Sequence, residues 1–377
     1  MEINNEYEYL VHLVKCGLNN LIPVEMPKHL SYEKVLHYGK LHEVANIAFL
    51  GVENMQAKPV QEVYDNWKAF YYSAIKRDIL QNETLALVLE KLHAENIRTL
   101  QVQGTVIKPL YPSSDLRMMS DIDLIVDKSN LLKASQILMK EGFVTQEQND
   151  EEWSGTNNSQ IKIELHTDFF YSVRTFQNGI KCSAILNNAF SLAKGDGLDY
   201  TLDNTNLFLF NLLHCLKHFL SDGAGIRRVL DLYVLKNALK DIDYKRIEQV
   251  LKDCKLPNLY NKLMALADYW FSDKQVQGDF EKVKEFVFLA ENHGSRKFLI
   301  KKKLSKSKTK KKRFAKIRYI FSRIFINKQL CYKAHPFCEK HKYPLFLCWV
   351  HRILVLIFCK NKKRIKKELK DVKDTKI

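Results

Sequence analysis

Apolar and polar positions follow two rhythms along this chain, and the change of rhythm divides it. Residues 1–97 keep the helical rhythm, with apolar positions recurring every three or four residues. Leu10, Leu13 and Val14 share a face, and "HEVANIAFLG" reads as a buried helix ending at Gly51. "VQEVYDNWKAFYYSAIKRDILQNETLALVLEKLHAENI" is one long helical run with almost no breakers. At residue 98 the rhythm shortens to the alternation of strands. "RTLQVQG" reads as a short strand ending in a glycine, "TVIKPLYP" as a short helix or turn closed by Pro112, and "DIDLIVD" as a strand. "SNLLKASQILMKEGF" predicts a helix with Ser129 as N-cap and Gly142 just past its end, and "QIKIELHTDFF" predicts another strand. From 205 to about 292 helices return, in "NTNLFLFNLLHCLKHFL", "GAGIRRVLDLYVLKNAL", "DYKRIEQVLKDCKL" and "PNLYNKLMALADYWF". The pattern predicts an α+β protein, a small mixed-sheet core embedded in a mostly helical chain. The expected organisation is a helical region at 1–97, the α/β core at 98–200, a helical domain at 201–300 and a basic tail with an amphipathic helix at 301–377.

Composition agrees with this. Only 13 Gly and 8 Pro in 377 residues argue against a loop-rich all-β fold. Charge adds something new. Residues 301–377 hold 26 Lys and Arg against 4 Asp and Glu, whereas the rest holds 34 against 39. A mildly acidic body with a strongly basic last fifth suggests a tail that meets an anionic partner, either nucleic acid or an acidic membrane surface. Residues 343–359 are apolar except for His351 and Arg352, too short and too charged at the centre for a spanning helix. Eight scattered cysteines without a CxxC, and a start lacking a secretory pattern, predict reduced thiols in a cytoplasmic protein. Peripheral attachment at the inner membrane face is the alternative location. Cys331, His335, Cys338 and His341 are too closely spaced for an ordinary tetrahedral zinc site.

The candidate chemistry lies in "RMMSDIDLIVD". On a strand, Asp121 and Asp123 project from one face while Ile122 and Leu124 pack on the other. In "IKIELH", Lys162, Glu164 and His166 share a face in the same way. If the two strands are neighbours, Glu164 joins the two aspartates. Three adjacent carboxylates repel one another unless a cation sits between them, and Mg²⁺, or Mn²⁺ in its place, suits such oxygen ligands. Metal held there activates an attacking hydroxyl and steadies a leaving oxyanion in phosphoryl chemistry. Gly104 and Thr105, between a strand and a short helix, are candidates for phosphate contact, as are Lys108, Arg117 and Ser120. His214 and His218 lie one helical turn apart, and Arg227 and Asp231 have the spacing of an intrahelical ion pair.

"VQGTVIKPLYPSSDLRMMSDIDLIV", followed about forty residues later by "IELHTDF", resembles the polymerase-beta-type nucleotidyltransferase superfamily. More narrowly, it is similar to its uncharacterised bacterial nucleotidyltransferase family. "LLHCLKHFLSDGAGIRRVLDLYVL" and "YPLFLCWVHRI" resemble that family too. The resemblance implies a nucleotidyltransferase core. Asp121, Asp123 and Glu164 would be its catalytic, metal-binding carboxylates, and Gly104 and Thr105 its nucleotide-phosphate turn. It also implies transfer of a nucleoside monophosphate from an NTP such as ATP to an acceptor, with release of pyrophosphate. A helical domain would pack over the site and direct His214, His218 and Arg227 towards it, with His166 beside Glu164. Position 103 departs from the pattern, being Gln where the family usually has Lys. That departure keeps two other readings open: a weak or inactive nucleotide-binding regulator, and a protein acting through its basic tail.

Overall fold

The computed structural model describes residues 3–169, 189–220, 223–273 and 275–290, together with 300, 304, 316, 319–321, 325, 341 and 344–350. Met1–His293 form one compact unit and Gly294–Ile377 another. In the second, Ile300, Leu304 and Tyr319 form a small apolar cluster, and Trp349 meets Phe325 edge to face. The lysine-rich run 305–313, Cys331, His335, Cys338 and the segment after 350 lie outside the described residues. Among the described residues no helix is long and apolar enough to cross a membrane.

Four helices precede the sheet: α1 (Glu6–Asn19), α2 (Tyr32–Leu41), α3 (Ala45–Glu53) and α4 (Gln61–Ala94). Asn5 and Ser31 cap the first two by accepting backbone N–H groups of Glu8 and Lys34. Helices α1 and α3 cross at glycines. A Cβ on Gly17 would meet the Ile47 carbonyl oxygen at 2.1 Å, and one on Gly51 the Leu13 carbonyl oxygen at 2.5 Å. Helix α3 therefore runs through Gly51 to Glu53 instead of ending there; the glycine permits a close crossing and is not a stop. Gly17→Ala is expected to lower stability by about 1–3 kcal/mol through overpacking against backbone that cannot give way. Urea unfolding checks this as a lower midpoint at an unchanged slope.

The sheet comprises β1 (Thr99–Gln101), β2 (Asp121–Val126), β3 (Val144–Gln148), β4 (Glu152–Thr156), β5 (Lys162–His166), β6 (Ala193–Asp196) and β7 (Asp199–Leu202). They run in the order β3-β4-β5-β2-β1-β7-β6 with both parallel and antiparallel pairs, so the core is the mixed sheet the pattern predicts. Short helix α5 (Gly104–Ile107) follows β1, and α6 (Leu131–Lys140) follows β2. Ser129 does not cap α6. It sits in a 3₁₀ turn, Lys128–Asn130, that leads straight into the helix, and no side chain caps the α6 N-terminus. Gly142 does close it, at φ +88°.

The sheet's two faces carry different burdens. Ile122, Leu124, Val126, Ile163 and Leu165 pack with Leu131, Ala134 and Leu138 of α6 and Val88 and Leu92 of α4. On the other face, Leu100 and Ile125 join the large core shared with the helices that follow the sheet. These are α7 (Asn204–Leu220), α8 (Ile226–Ala238), α9 (Tyr244–Asp253), α10 (Pro257–Phe271) and α11 (Glu281–Ala290). Helix α7 starts two residues after β7, and Asp203 accepts the Asn206 N–H at its entry. The first helix is tied to the later ones: Lys15 Nζ donates to the Ser272 carbonyl at 2.7 Å, and Lys284 pairs with Glu8 at 3.3 Å. Cys16 and Cys215 carry free thiols.

Candidate active site

Strands β2 and β5 lie side by side and parallel, with Asp121 opposite Lys162, Asp123 opposite Glu164 and Ile125 opposite His166. Residues opposite one another project from the same face, so the two acidic strands pool their charged side chains. Across β5, the antiparallel β4 brings Glu152 opposite His166 on that face. His166 Nε2 lies 3.1 Å from Asp123 Oδ1 and 3.4 Å from Glu164 Oε2, and Lys162 Nζ also donates to Glu164. Ser120 donates to Asp121 Oδ1 at 2.9 Å.

Electrostatics differ sharply between neighbours. Burial pushes Asp123 up to about 6; the His166 hydrogen bond opposes that and the Asp121 charge adds to it. Burial also works against the charge on Glu164, but His166 and Lys162 outweigh it and bring Glu164 down to about 2. His166 is raised to about 10 because its two carboxylates outweigh burial. It is therefore an imidazolium near neutral pH, a donor that holds the carboxylates in place. The ligand atoms of Asp123, Glu164 and His166 all lie within 4.8 Å of one another.

These side chains form one wall of a cavity of about 320 Å³. Asp121, Asp123, Glu152, Glu164 and His166 are its acidic side. His214, Lys217 and His218 from α7, with Arg227 and Arg228 from α8, line it as well. Gln103, Gly104, Arg117, Met119 and Ser120 complete it. Gly104 is fixed by contact: a Cβ there would lie 2.1 Å from Met119 Sδ and 2.8 Å from Arg117 Nη1. Gln103 carries φ +56° and ψ −119°, a conformation L-residues rarely adopt.

Two candidates lie elsewhere. The Thr105 hydroxyl donates to the Val102 carbonyl at 2.8 Å and does not line the cavity. Lys108 is buried in α4's polar stripe, with Nζ 2.5 Å from Asp78 Oδ1 and 2.8 Å from Gln81 Oε1. It braces the strand entry, as do Arg77 and Gln81, which donate to the Met119 carbonyl. Lys108 thus does not replace the charge that Gln103 lacks.

Arg117 is at the cavity but is gripped from behind. Its Nε and Nη2 donate to the two Asp231 oxygens at 2.9 and 3.0 Å, and Tyr111 donates to Asp231 Oδ1 at 2.8 Å. Asp231 therefore pairs with Arg117, and Arg227 with Glu43 at 2.8 Å, in place of the intrahelical Arg227–Asp231 pair. The His214 and His218 rings lie 4.6 Å apart, and both line the cavity. Sequence reasoning passed over Glu152 and Arg228. Glu152 is hidden in a strand that the pattern does not announce. Arg228 had a readable signal: two arginines in a helix's first turn oppose the helix dipole.

A family model described as uncharacterised nucleotidyltransferase matches residues 28–272. The chain belongs to that family. No curated protein matches it in sequence. The match spans the whole cavity of this nucleotidyltransferase, from Glu43 behind Arg227 to the end of α10, and stops short of the basic tail. Family membership makes a nucleoside triphosphate the substrate class and divalent metal the usual cofactor. The donor set fits such a cation: Asp123 and Glu164 converge, with Asp121 on the same face, and hard divalent ions prefer carboxylate oxygen.

Proposed function

We propose that this nucleotidyltransferase moves a nucleoside monophosphate from an NTP to a hydroxyl acceptor and releases pyrophosphate, an EC 2.7.7-type reaction. The observation that carries the reading is the β2–β5 register. It sets Asp123 opposite Glu164, with Asp121 on the same face, in a cavity whose far wall is cationic. Mg²⁺, or Mn²⁺, held by Asp121, Asp123 and Glu164 would supply hydroxyl activation and charge screening when bound. The chain's own residues do the rest. His166 fixes the orientation of Asp123 and Glu164. Asp123, which burial pushes up to about 6, is suited to take the acceptor's proton. The acceptor oxygen attacks the α-phosphorus, the bond to the bridging oxygen breaks, and pyrophosphate leaves with the bonding pair.

Label from each α-³²P-NTP, supplied with Mg²⁺ or Mn²⁺, is expected to enter one class of molecule in a cell extract. The label should vanish with Asp121→Asn/Asp123→Asn, and the labelled product names the acceptor. Wild-type label no greater than that of the folded double variant would sink transfer. Nucleotide binding without turnover would then favour a regulator, the reading supported by the uncharged Gln103 in the cavity lining. The surplus of Lys and Arg in 301–377 supports a separate property, attachment to an anionic surface, with location in the cytoplasm or at the inner membrane face.

A further inference from the structure

The cationic wall holds more positive charge than its ion pairs use. Arg227 is paired with Glu43 and donates to the Met118 carbonyl. Arg117 gives two of its nitrogens to Asp231, but Nη1 is buried without a partner, in a side chain only 6% exposed. Arg228 has no ion pair among the described residues, and its buried Nε has no hydrogen-bond partner. His214 Nδ1 is in the same condition. Burial, and then the adjacent Arg227 charge, lower Arg228 to about 10. A second cavity, of about 20 Å³, is lined by the same Gln103, Arg117, His214 and Arg228, so these four groups surround one spot.

An uncompensated guanidinium is a cost to the folded state. Here it stands in the first turn of α8, where the helix's own free N–H groups already make the potential positive. Packing alone gives no reason to place it there. An anion at this spot would lie beside Arg228, Arg117 and His214, whose Nε, Nη1 and Nδ1 are buried with no hydrogen-bond partner among the described residues.

We propose that Arg228, Arg117 Nη1 and His214 form the seat of a polyphosphate, the β- and γ-phosphates of the NTP that leave as pyrophosphate. The identity of the occupant rests on the nucleotidyl-transfer reading; the site's preference for a polyanion does not. As the bond from the α-phosphorus to the bridging oxygen breaks, that oxygen keeps the electron pair. The charge passes into the β-phosphate, next to guanidinium groups already in position. Phosphate recognition thereby falls to Arg117 and to residues of α7 and α8, while Thr105 and Lys108 serve the scaffold.

The test uses the full chain in EDTA, so that no metal bridges ligand and carboxylates. Pyrophosphate, tripolyphosphate and inorganic phosphate are titrated by calorimetry, and thermal midpoints are read for each variant. Wild type is expected to bind tripolyphosphate at least about tenfold more tightly than inorganic phosphate. Arg228→Met should raise the ligand-free midpoint, by removing the buried charge, and weaken tripolyphosphate at least about tenfold. Arg228→Lys, which keeps charge without the fork, should fall between. Asp121→Asn/Asp123→Asn should bind tripolyphosphate at least as tightly as wild type, because two carboxylates that repel the polyanion are gone from the opposite wall. A lower midpoint in Arg228→Met with unchanged binding would make the arginine structural and overturn the proposal. So would a wild type that binds no polyphosphate. Equal affinity for inorganic phosphate would overturn the polyphosphate assignment in favour of a phosphorylated acceptor. Polyphosphate binding without label transfer would defeat the transfer reading alone.

Discussion

Asp123→Asn is expected to lower the proposed nucleotidyl transfer on the order of 10²–10³-fold at saturating NTP, the scale for losing one positioned electrostatic group. The loss should fall on kcat, because in the proposed reaction the carboxylate acts where charge and proton move and the cationic wall is left intact. Asparagine matches the shape, and its amide still reaches His166. It also removes a carboxylate that burial pushes up to about 6. A group raised in this way adds stability only at low pH and loses it as pH rises through 6, so near neutrality the neutral amide relieves a cost. Steady-state kinetics beside a melting curve checks both halves: a collapse in kcat with an unchanged or higher midpoint. A variant that melts early, or one that loses affinity with kcat intact, contradicts the assignment.

Asp231→Asn has the opposite signature. It removes the charge that pairs the buried Arg117 guanidinium and leaves one side-chain oxygen to accept from Arg117 and Tyr111 where there were two, at an expected cost of about 3–5 kcal/mol. Burial opposes the charge on Asp231, but Arg117 and Arg227 outweigh it and lower the Asp231 pKa. A lowered carboxylate contributes stability above its ordinary range of about 4 and loses it as pH falls through the folded value. Wild type should therefore weaken progressively in acid, and the variant should show a flatter decline from a lower start. Urea unfolding between pH 3 and 7 reads this directly. Replacing both partners, as Arg117→Met/Asp231→Leu, should recover most of the stability while leaving the cavity without Arg117.

The sequence carried the acidic side of this site well. Alternation in "DIDLIVD" and "IKIELH" is strong because each strand buries one face completely, and side-chain parity then puts the acids together. The β3–β4 hairpin was not legible. Val144 and its neighbours form an exposed edge with no apolar rhythm to follow. Strands β6 and β7 did leave a trace, since "DG" at 196–197 is a hairpin signal and Gly197 takes φ +81°. Lys108 shows a harder limit. Its position near Gly104 suggested phosphate, but its direction is set by Asp78 and Gln81, about thirty residues earlier on α4. Arg117 is held by a carboxylate 114 residues away. Local pattern tells which residues are charged and on which element, and not which distant element they answer to.

The Lys15–Ser272 bond closes a span of 257 residues, Arg117–Asp231 one of 114, and Thr99 pairs with Asp199 in the sheet. Such contacts close long loops, and each must wait until both of its ends have been made. A chain emerging from the ribosome can assemble β2 and its acids long before α8 exists to supply the opposite charge. The first helix can pack on α3 at once, but its bond to the Ser272 carbonyl waits until residue 272 is made. A chain truncated before α8 is therefore expected to leave the acidic strands without their cationic wall and apolar surface without its cover.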